Sequence, residues 1–270
     1  MNRIESHFAE ATREGRKSLI LFLTAGFPHL DLTEAIIDRV ARAGCDVLEL
    51  GVPFSDPIAD GPTIQAASTE ALKAETTLEK ILDLVARIRD RFAREGRPQL
   101  PILLFGAYNP FYHYGLDTLV KRAQEVGVDG FLVPDLPIEE SEEFETPCRR
   151  AGLSLIYLVA PTTPSERMAE IARHGSGFLY YISLRGVTGT AIAVGDELRE
   201  HVATLRKVAA PLPVAVGFGI QTPEHVRQVA EISPAVVVGS ALIRLIGEQR
   251  NAPDLLDQVE AYCRSLKEAL

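Results

Sequence analysis

The residue best placed to do chemistry is a glutamate inside a short apolar run. Glu49 lies in the sequence VLEL at residues 47–50, which predicts a buried strand. Because side chains alternate across a strand, Leu48 and Leu50 face one way and Glu49 faces the other, towards the interior. Burial raises the pKa of a carboxyl group and suits it to act as a general acid. The alternative is a structural glutamate that accepts hydrogen bonds from the backbone or from hydroxyl groups.

Two aspartates follow the same run, in a loop from residue 51 to about residue 62. Asp56 lies directly before a proline and Asp60 directly before a glycine, and both positions are common in turns. Turn formation is therefore the alternative for each. A carboxylate held above Glu49 would supply the second member of an acid–base pair acting on one substrate.

Glycines after two later apolar runs are typical of a phosphate site. Gly217 and Gly219 flank Phe218 after one run, and Gly239 and Ser240 follow the next run and open a predicted helix. Glycines let backbone N–H groups approach an anion, and a helix N-terminus adds a favourable potential. Such a site needs no Lys or Arg. Ordinary turn glycines are the alternative.

Two common routes to carbon–carbon cleavage lack their residues. A Schiff base needs a lysine inside the fold, but the lysines lie in helical stretches or before the first run: Lys17, Lys73, Lys80, Lys121, Lys207 and Lys267. Metal-assisted cleavage needs clustered ligands, and the sequence has no HxH or HExxH spacing. A cleavage reaction here would require a substrate that accepts the electrons itself.

Short apolar runs alternate with longer amphipathic stretches along the whole chain. Nearly continuous apolar runs are expected of strands buried on both faces of a parallel sheet. The predicted strands are residues 18–24, 47–50, 101–105, 130–133, 153–159, 178–182, 214–217 and 235–238. Barrels with eight strand–helix units have roughly 250 residues. The 270 residues, with no break in composition, predict one (β/α)8 TIM barrel domain spanning residues 1–270.

The stretches between the runs predict helices. They are residues 32–43, 116–126, 139–151, 164–174, 197–208 and 222–232, and residues 2–15 predict an extra N-terminal helix that plugs one end of the barrel. Thr163 and Thr222 each precede a proline and an early acid, as helix caps do. Two connections are unusually long, at residues 51–62 and 183–196, and both lie at the barrel end where such enzymes carry their chemistry.

Composition narrows the classes of protein. The formal net charge of -9 argues against nucleic acid or an anionic membrane as the main partner. The three cysteines give no disulfide framework and suggest a reducing cytoplasm. No apolar run approaches the roughly 20 residues of a membrane span, and the N-terminus has no signal-peptide core.

Several motifs together resemble the α subunit of tryptophan synthase over nearly the whole chain. The longest reads LELGVPFSDP at residues 48–57 and continues as ADGPTIQ at residues 59–65. Shorter motifs match in order: TAGFP at 24–28, YNP at 108–110, PDLP at 134–137, GVTG at 186–189 and GFGI at 217–220. The segment 105–109 departs from the family, because many members have a larger residue in place of Ala107. That difference concerns the pocket that holds the indole ring rather than the reaction.

The resemblance implies cleavage of indole-3-glycerol phosphate to indole and glyceraldehyde 3-phosphate. Glu49 would protonate indole C3 and then act as a base towards the glycerol hydroxyl, and Asp60 would hydrogen-bond the indole N–H. Tyr180 would position Glu49 or the substrate, and Phe22 and Phe218 would pack on the indole ring. The residues expected around the phosphate are Thr188, Gly189, Gly217, Gly219, Gly239 and Ser240.

The family also implies a partner. Its α subunit works with a pyridoxal-phosphate β subunit in an α2β2 heterotetramer, so the cofactor is expected only in that partner and neither cofactor nor metal in this chain. Two alternatives stay open on the residues alone. One is another phosphate-binding barrel, such as a phosphosugar isomerase, an epimerase or indole-glycerol-phosphate synthase, although the last needs a catalytic lysine. The other is a non-catalytic barrel that serves only as an allosteric subunit.

Overall fold

A closed barrel of eight parallel strands forms the centre of the molecule. The computed structural model describes residues 1–182, 194–217 and 219–270. The strands pair in sequence order, and the last also pairs with the first. They are β1 (Ser18–Thr24), β2 (Val47–Gly51), β3 (Ile102–Phe105), β4 (Gly130–Leu132), β5 (Ser154–Val159), β6 (Leu179–Ile182), β7 (Val214–Gly217) and β8 (Ala235–Val238). The predicted (β/α)8 barrel is confirmed.

Helices surround this barrel. In the described ranges they are α1 (Arg3–Glu14), α2 (Leu30–Arg42), α3 (Pro62–Lys73), α4 (Leu78–Arg94), α5 (Tyr108–Tyr114), α6 (Leu116–Val126), α7 (Glu142–Ala151), α8 (Ser165–His174), α9 (Asp196–Ala209), α10 (Pro223–Ala230), α11 (Ser240–Gln249) and α12 (Leu255–Lys267). Over those same ranges, none of them combines the length and apolar character of a membrane span.

The strands separate two apolar layers. Leu48 and Leu50 of β2 belong to the outer layer between barrel and helices, whereas Val47 belongs to the layer inside the barrel. Every residue of β1 and β2 is buried. Burial on both faces explains why the runs are apolar throughout rather than alternating. It also makes Glu49 exceptional, because the alternation places it on the inner face with Val47.

Helix α1 closes the end of the barrel at which the strands begin. The Asn2 side chain accepts a hydrogen bond from the Glu5 N–H at 3.0 Å, and the Glu5 carboxylate accepts one from the Asn2 N–H at 3.1 Å. This capping box fixes the start of the helix. Ile4 and Phe8 then enter the inner apolar layer, where the Phe8 ring lies 5.5 Å from the Phe178 ring. The predicted N-terminal plug is confirmed.

One of the two predicted threonine caps is wrong. Thr222 caps α10 as expected, accepting a hydrogen bond from the His225 N–H at 3.2 Å. At α8 the cap position is Pro164, and the Thr163 hydroxyl instead accepts from the Ala160 N–H at 3.1 Å. The Thr163 hydroxyl therefore stabilises the turn before the helix instead of capping the helix. Ser and Thr side chains readily form such local bonds to the backbone.

The helix predicted at residues 139–151 divides into two pieces. A 3-10 turn covers Ile138–Glu140, and α7 begins only at Glu142. Ser141 lies between them, and its hydroxyl donates to the Ile138 carbonyl at 2.9 Å. This local bond replaces the helical pairing at that position.

Candidate active site

Glu49 lies on the inner face of β2, near the barrel end at which the strands finish. Its register partners are Phe22 on β1 and Leu103 on β3. The side chain is 1% exposed and lines a cavity of about 120 Å³, to which the loop between β2 and α3 also contributes. The inward orientation predicted from the alternation is therefore confirmed.

The Glu49 carboxyl group is held in its protonated form by burial. Within the described residues, neither of its oxygens has a hydrogen-bond partner. Desolvation raises the pKa of Glu49 to about 8. At neutral pH the group is thus mostly a neutral acid with an unengaged O–H, which is the state that a proton donor needs.

Asp60 stands over the same cavity, in the loop between β2 and α3. Its position is set by the backbone: the Asp60 N–H donates to the Pro57 carbonyl at 3.1 Å, and the Gln65 side-chain amide donates to the Asp60 carbonyl at 2.8 Å. Partial burial raises the pKa of Asp60 to about 6. Near neutral pH Asp60 is therefore charged while Glu49 is protonated.

The two aspartates of this loop, Asp56 and Asp60, have different surroundings in the structure. Asp56 is exposed and accepts a hydrogen bond from the adjacent Ser55 hydroxyl at 2.6 Å. It does not line the 120 Å³ cavity, whereas Asp60 does. The turn interpretation thus holds for Asp56, and Asp60 is the aspartate that shares a cavity with Glu49.

The cavity walls between the two carboxyl groups are apolar. Phe22 meets Phe105 edge to face, with ring centroids 5.4 Å apart. Leu158 and Ile182 line the cavity from β5 and β6. Such a lining suits a flat aromatic ligand, which gains free energy from apolar contact and from ring–ring geometry. Phe22 was expected from the sequence, whereas Phe105, Leu158 and Ile182 were not. For Ile182 a signal was available, because it lies two residues after Tyr180 on the same strand and therefore on the same face.

An anion site fits the far end of the cavity. Gly219 follows β7 with a left-handed backbone (φ 72°), and Gly239 and Ser240 begin α11. These three residues line the cavity. A Cβ on Gly239 would stand 3.2 Å from the Phe22 Cβ, so glycine permits this close approach of α11 to β1. The N–H groups in the first turn of a helix favour a negative charge, so the start of α11 would suit an anion at this end of the cavity.

Tyr180 and Gly217 form a pair at the side of the cavity. Tyr180 lines the cavity, and its pKa is raised well above the usual range by burial and secondarily by Glu49. Gly217 is not among the lining residues; a Cβ there would overlap the Tyr180 hydroxyl and ring. In the structure this glycine makes room for Tyr180, a role that the sequence analysis did not foresee. Thr188, Gly189 and Phe218 lie outside the described residues.

The lysines lie where the sequence analysis places them. Lys17 precedes β1, and its ammonium donates to the Ser233 carbonyl at 3.1 Å. The other five are on helices outside the barrel: Lys73, Lys80, Lys121, Lys207 and Lys267. In the parts of the chain that the structure describes, no three His, Cys, Asp or Glu side chains form a metal-binding group. The arrangement combines one buried acid, one carboxylate, an apolar slot and an anion site.

Comparison with known families identifies the family of the chain. The model of one family, described as tryptophan synthase alpha chain, matches residues 8–270. The chain belongs to the tryptophan synthase alpha chain family. Members of this family are lyases that cleave indole-3-glycerol phosphate in tryptophan biosynthesis.

Individual tryptophan synthase alpha chains agree over the full length. The chain is 47% identical to that of Geobacter sulfurreducens over 270 residues, which is all of this chain and 99% of the relative. It is 46% identical to that of Geobacter sp. (strain M21), covering 100% of this chain and 98% of the relative. The crystal structure of tryptophan synthase subunit alpha from Legionella pneumophila str. Paris superposes with a TM-score of 0.90 at 38% identity, covering 100% and 98% of the two chains.

Membership in the tryptophan synthase alpha chain family decides between the alternatives. The phosphosugar isomerase, epimerase and indole-glycerol-phosphate synthase interpretations are wrong, and so is a purely allosteric barrel. The predicted fold, reaction and enzyme class are confirmed. The assignment of individual side chains to the reaction depends on the geometry of the cavity.

Proposed function

We propose that Glu49 and Asp60 carry out the cleavage of indole-3-glycerol phosphate in this chain. The observation that carries the proposal is their pairing in one cavity with opposite protonation states. Burial raises the pKa of Glu49 to about 8, and that of Asp60 to only about 6. Two carboxyl groups whose pKa values are pushed apart can divide the acid and charge-stabilising roles between them.

In the proposed reaction one proton passes from Glu49 to the substrate and a second passes from the substrate back to Glu49. Protonated Glu49 donates its proton to indole C3, and the ring becomes a cationic indolenine. Asp60 accepts a hydrogen bond from the indole N–H and stabilises that charge. The Glu49 carboxylate then removes the proton of the adjacent glycerol hydroxyl. The carbon–carbon bond breaks, its electrons enter the ring to give indole, the oxygen becomes the aldehyde of glyceraldehyde 3-phosphate, and Glu49 is again protonated.

The remaining cavity residues bind the substrate. Phe22 packs against the indole ring, and Tyr180 holds the position of Glu49 or of the substrate. Gly219, Gly239 and Ser240 surround the phosphate, and the N-terminus of α11 supports this assignment. The same proposal includes Gly217, Thr188 and Gly189 at the phosphate and Phe218 at the ring, as the motifs predict.

The experiment is Glu49→Gln, which keeps the shape of the side chain but cannot exchange a proton. We expect cleavage to fall by roughly 10²–10⁴-fold, with an unchanged circular dichroism spectrum. The matched control is Glu145→Gln on α7, the same change at a carboxyl group that is 7% exposed but outside the barrel. Near-normal turnover by Glu49→Gln, or an equal loss in the control, contradicts the assignment.

We also propose that the chain acts as one domain, residues 1–270, within an α2β2 heterotetramer in the cytoplasm. Family membership supports a β-subunit partner, with pyridoxal phosphate only in that partner. The exposed Ile58, 87% accessible in the loop that carries Asp60, is consistent with a protein partner near the mouth of the cavity. Sedimentation of the chain with a β subunit tests the stoichiometry, and a mass other than that of α2β2 contradicts it.

A further inference from the structure

Arg244 is a cavity residue that the sequence analysis does not name. It lies on α11, four residues after Ser240, so that its side chain follows the helix face above the first turn. It lines the cavity together with Ser240 and Gly219. A full positive charge therefore stands beside the residues proposed to surround the substrate phosphate.

This charge is not neutralised by an acid. Across the described residues, no carboxylate lies within 4.0 Å of the Arg244 guanidinium. Its hydrogen bond is to a neutral group: Nη1 donates to the Gln221 side-chain oxygen at the long distance of 3.4 Å. By contrast, Arg227 on the neighbouring α10 pairs with Glu224. A half-buried guanidinium without a counter-ion attracts an anion, because screening by water is reduced there.

Two hydrogen bonds hold the backbone of Gln221, whose side-chain oxygen accepts the hydrogen bond from Arg244. The Tyr262 hydroxyl donates to the Gln221 carbonyl at 2.8 Å. The Gln221 N–H lies 3.3 Å from His225 Nδ1, which accepts its hydrogen bond. These contacts come from α12 and α10, so two elements outside the barrel fix the residue against which the guanidinium rests. A positioned arginine loses little conformational freedom when it binds a ligand.

We propose that Arg244 binds the phosphate of the substrate and sets the preference of the enzyme for phosphorylated over unphosphorylated ligands. The inference rests on the proposed phosphate site at Gly219 and Ser240. Backbone N–H groups and the helix terminus supply only partial charges, equivalent to roughly half an elementary charge. A phosphate monoester carries about two negative charges at pH 7. The guanidinium supplies the full charge and the paired N–H donors that the backbone lacks.

The test is Arg244→Met, which keeps an unbranched apolar stem and removes the charge. The KM for indole-3-glycerol phosphate and the Kd for inorganic phosphate should rise roughly 10- to 100-fold. The Kd for indole, which has no phosphate, should stay within about twofold, as should kcat. Arg244→Lys should recover part of the loss, because it restores the charge without the fork of N–H donors.

The control is Arg227→Met, which removes the same charge from an exposed position on α10. Both Kd values should stay unchanged in this variant. If Arg244→Met weakens indole and phosphate equally, Arg244 has only a structural role and the inference is wrong.

The variant Ser240→Asp tests the proposed phosphate site independently of Arg244. If Ser240→Asp weakens phosphate binding and Arg244→Met does not, the inference fails and the proposed site stands. If neither variant changes the Kd for phosphate, both are wrong.

Discussion

The hydroxyl of Tyr180 occupies the space that a Cβ atom on Gly217 would need. The two residues lie on adjacent strands, where Tyr180 pairs with Ala215 and Ile182 pairs with Gly217. Two small residues on β7 thus leave room for one large ring on β6. In the structure Gly217 makes room for an aromatic side chain, in addition to the role at the phosphate that we propose for it.

Gly217→Ala should displace the Tyr180 ring from the cavity wall. Overpacking of this kind costs about 1–3 kcal/mol of stability, and turnover should fall with it because Tyr180 lines the cavity beside Glu49. Chemical denaturation and the cleavage assay measure the two effects. Gly195→Ala is the control, because a Cβ at Gly195 meets nothing within 4 Å.

A second variant shows whether the collision with Tyr180 causes the loss. In a Tyr180→Val background the ring is absent, so adding Gly217→Ala should change stability little. This non-additivity is the interaction energy of the pair. If Gly217→Ala is equally destabilising in both backgrounds, the effect of the alanine lies in the backbone and not in the contact.

The rate of cleavage should depend on pH through both carboxyl groups. Asp60 must be charged and has a pKa of about 6, whereas Glu49 must be protonated and has a pKa of about 8. A plot of kcat/KM against pH should therefore rise to a plateau above about 6 and fall above about 8. Asp60→Asn should be less active and lack the acidic limb. If the acidic limb persists in that variant, it belongs to the substrate phosphate instead.

Glu49 should make the protein less stable as the pH rises. Its folded-state pKa of about 8 lies above the usual 4.5. The stability associated with its proton is fully present below 4.5 and is lost progressively as the pH rises through 8. The total change is on the order of a few kcal/mol. Glu49→Gln cannot lose a proton, so its stability relative to the native sequence should increase from pH 5 to pH 8.5. If the difference in unfolding free energy between the two proteins is the same at pH 5 and at pH 8.5, the carboxyl group is not buried in solution.

Asn2→Ala should loosen the helix that closes the barrel. Besides capping α1, the Asn2 amide donates to the Asp129 carbonyl at 3.2 Å and to the Ser154 hydroxyl at 2.7 Å. We expect a loss of about 1–2 kcal/mol, measured by urea denaturation. Thr77→Ala is the control, since Thr77 caps α4 through one local bond, from the Lys80 N–H. Equal losses in the two variants would mean that the bonds of Asn2 to the barrel contribute nothing.

Apolar runs predict the barrel well and its outer helices less well. The bounds of β1, β7 and β8 agree with residues 18–24, 214–217 and 235–238. Strands that are buried on both faces can be predicted well because their sequences are apolar almost throughout. The helices α3, α4, α5 and α12 are missing from the sequence analysis. For α4 the signal was available, because its buried face includes Ile81, Leu82, Val85, Ile88 and Phe92 at helical spacing.

In the site too, features set by alternation along one strand can be predicted from the sequence, whereas features set by packing between segments cannot. The orientation of Glu49 follows from local alternation along one strand, which the sequence contains. The contact between Gly217 and Tyr180 depends on the register of two strands, and the approach of Arg244 to the cavity depends on how α11 packs on the barrel. Both are three-dimensional relationships between segments, and no local pattern encodes them.

The helix that closes the base of the barrel also bears on the side from which water reaches Glu49. With Ile4 and Phe8 filling that end, water approaches Glu49 from the loop side, which the substrate covers when it binds. If Glu49 is the proton donor, the hydrogen that it delivers to indole C3 is one that it exchanged with water before the substrate bound. Cleavage in heavy water should then place deuterium at C3 of the indole product by way of the Glu49 carboxyl group.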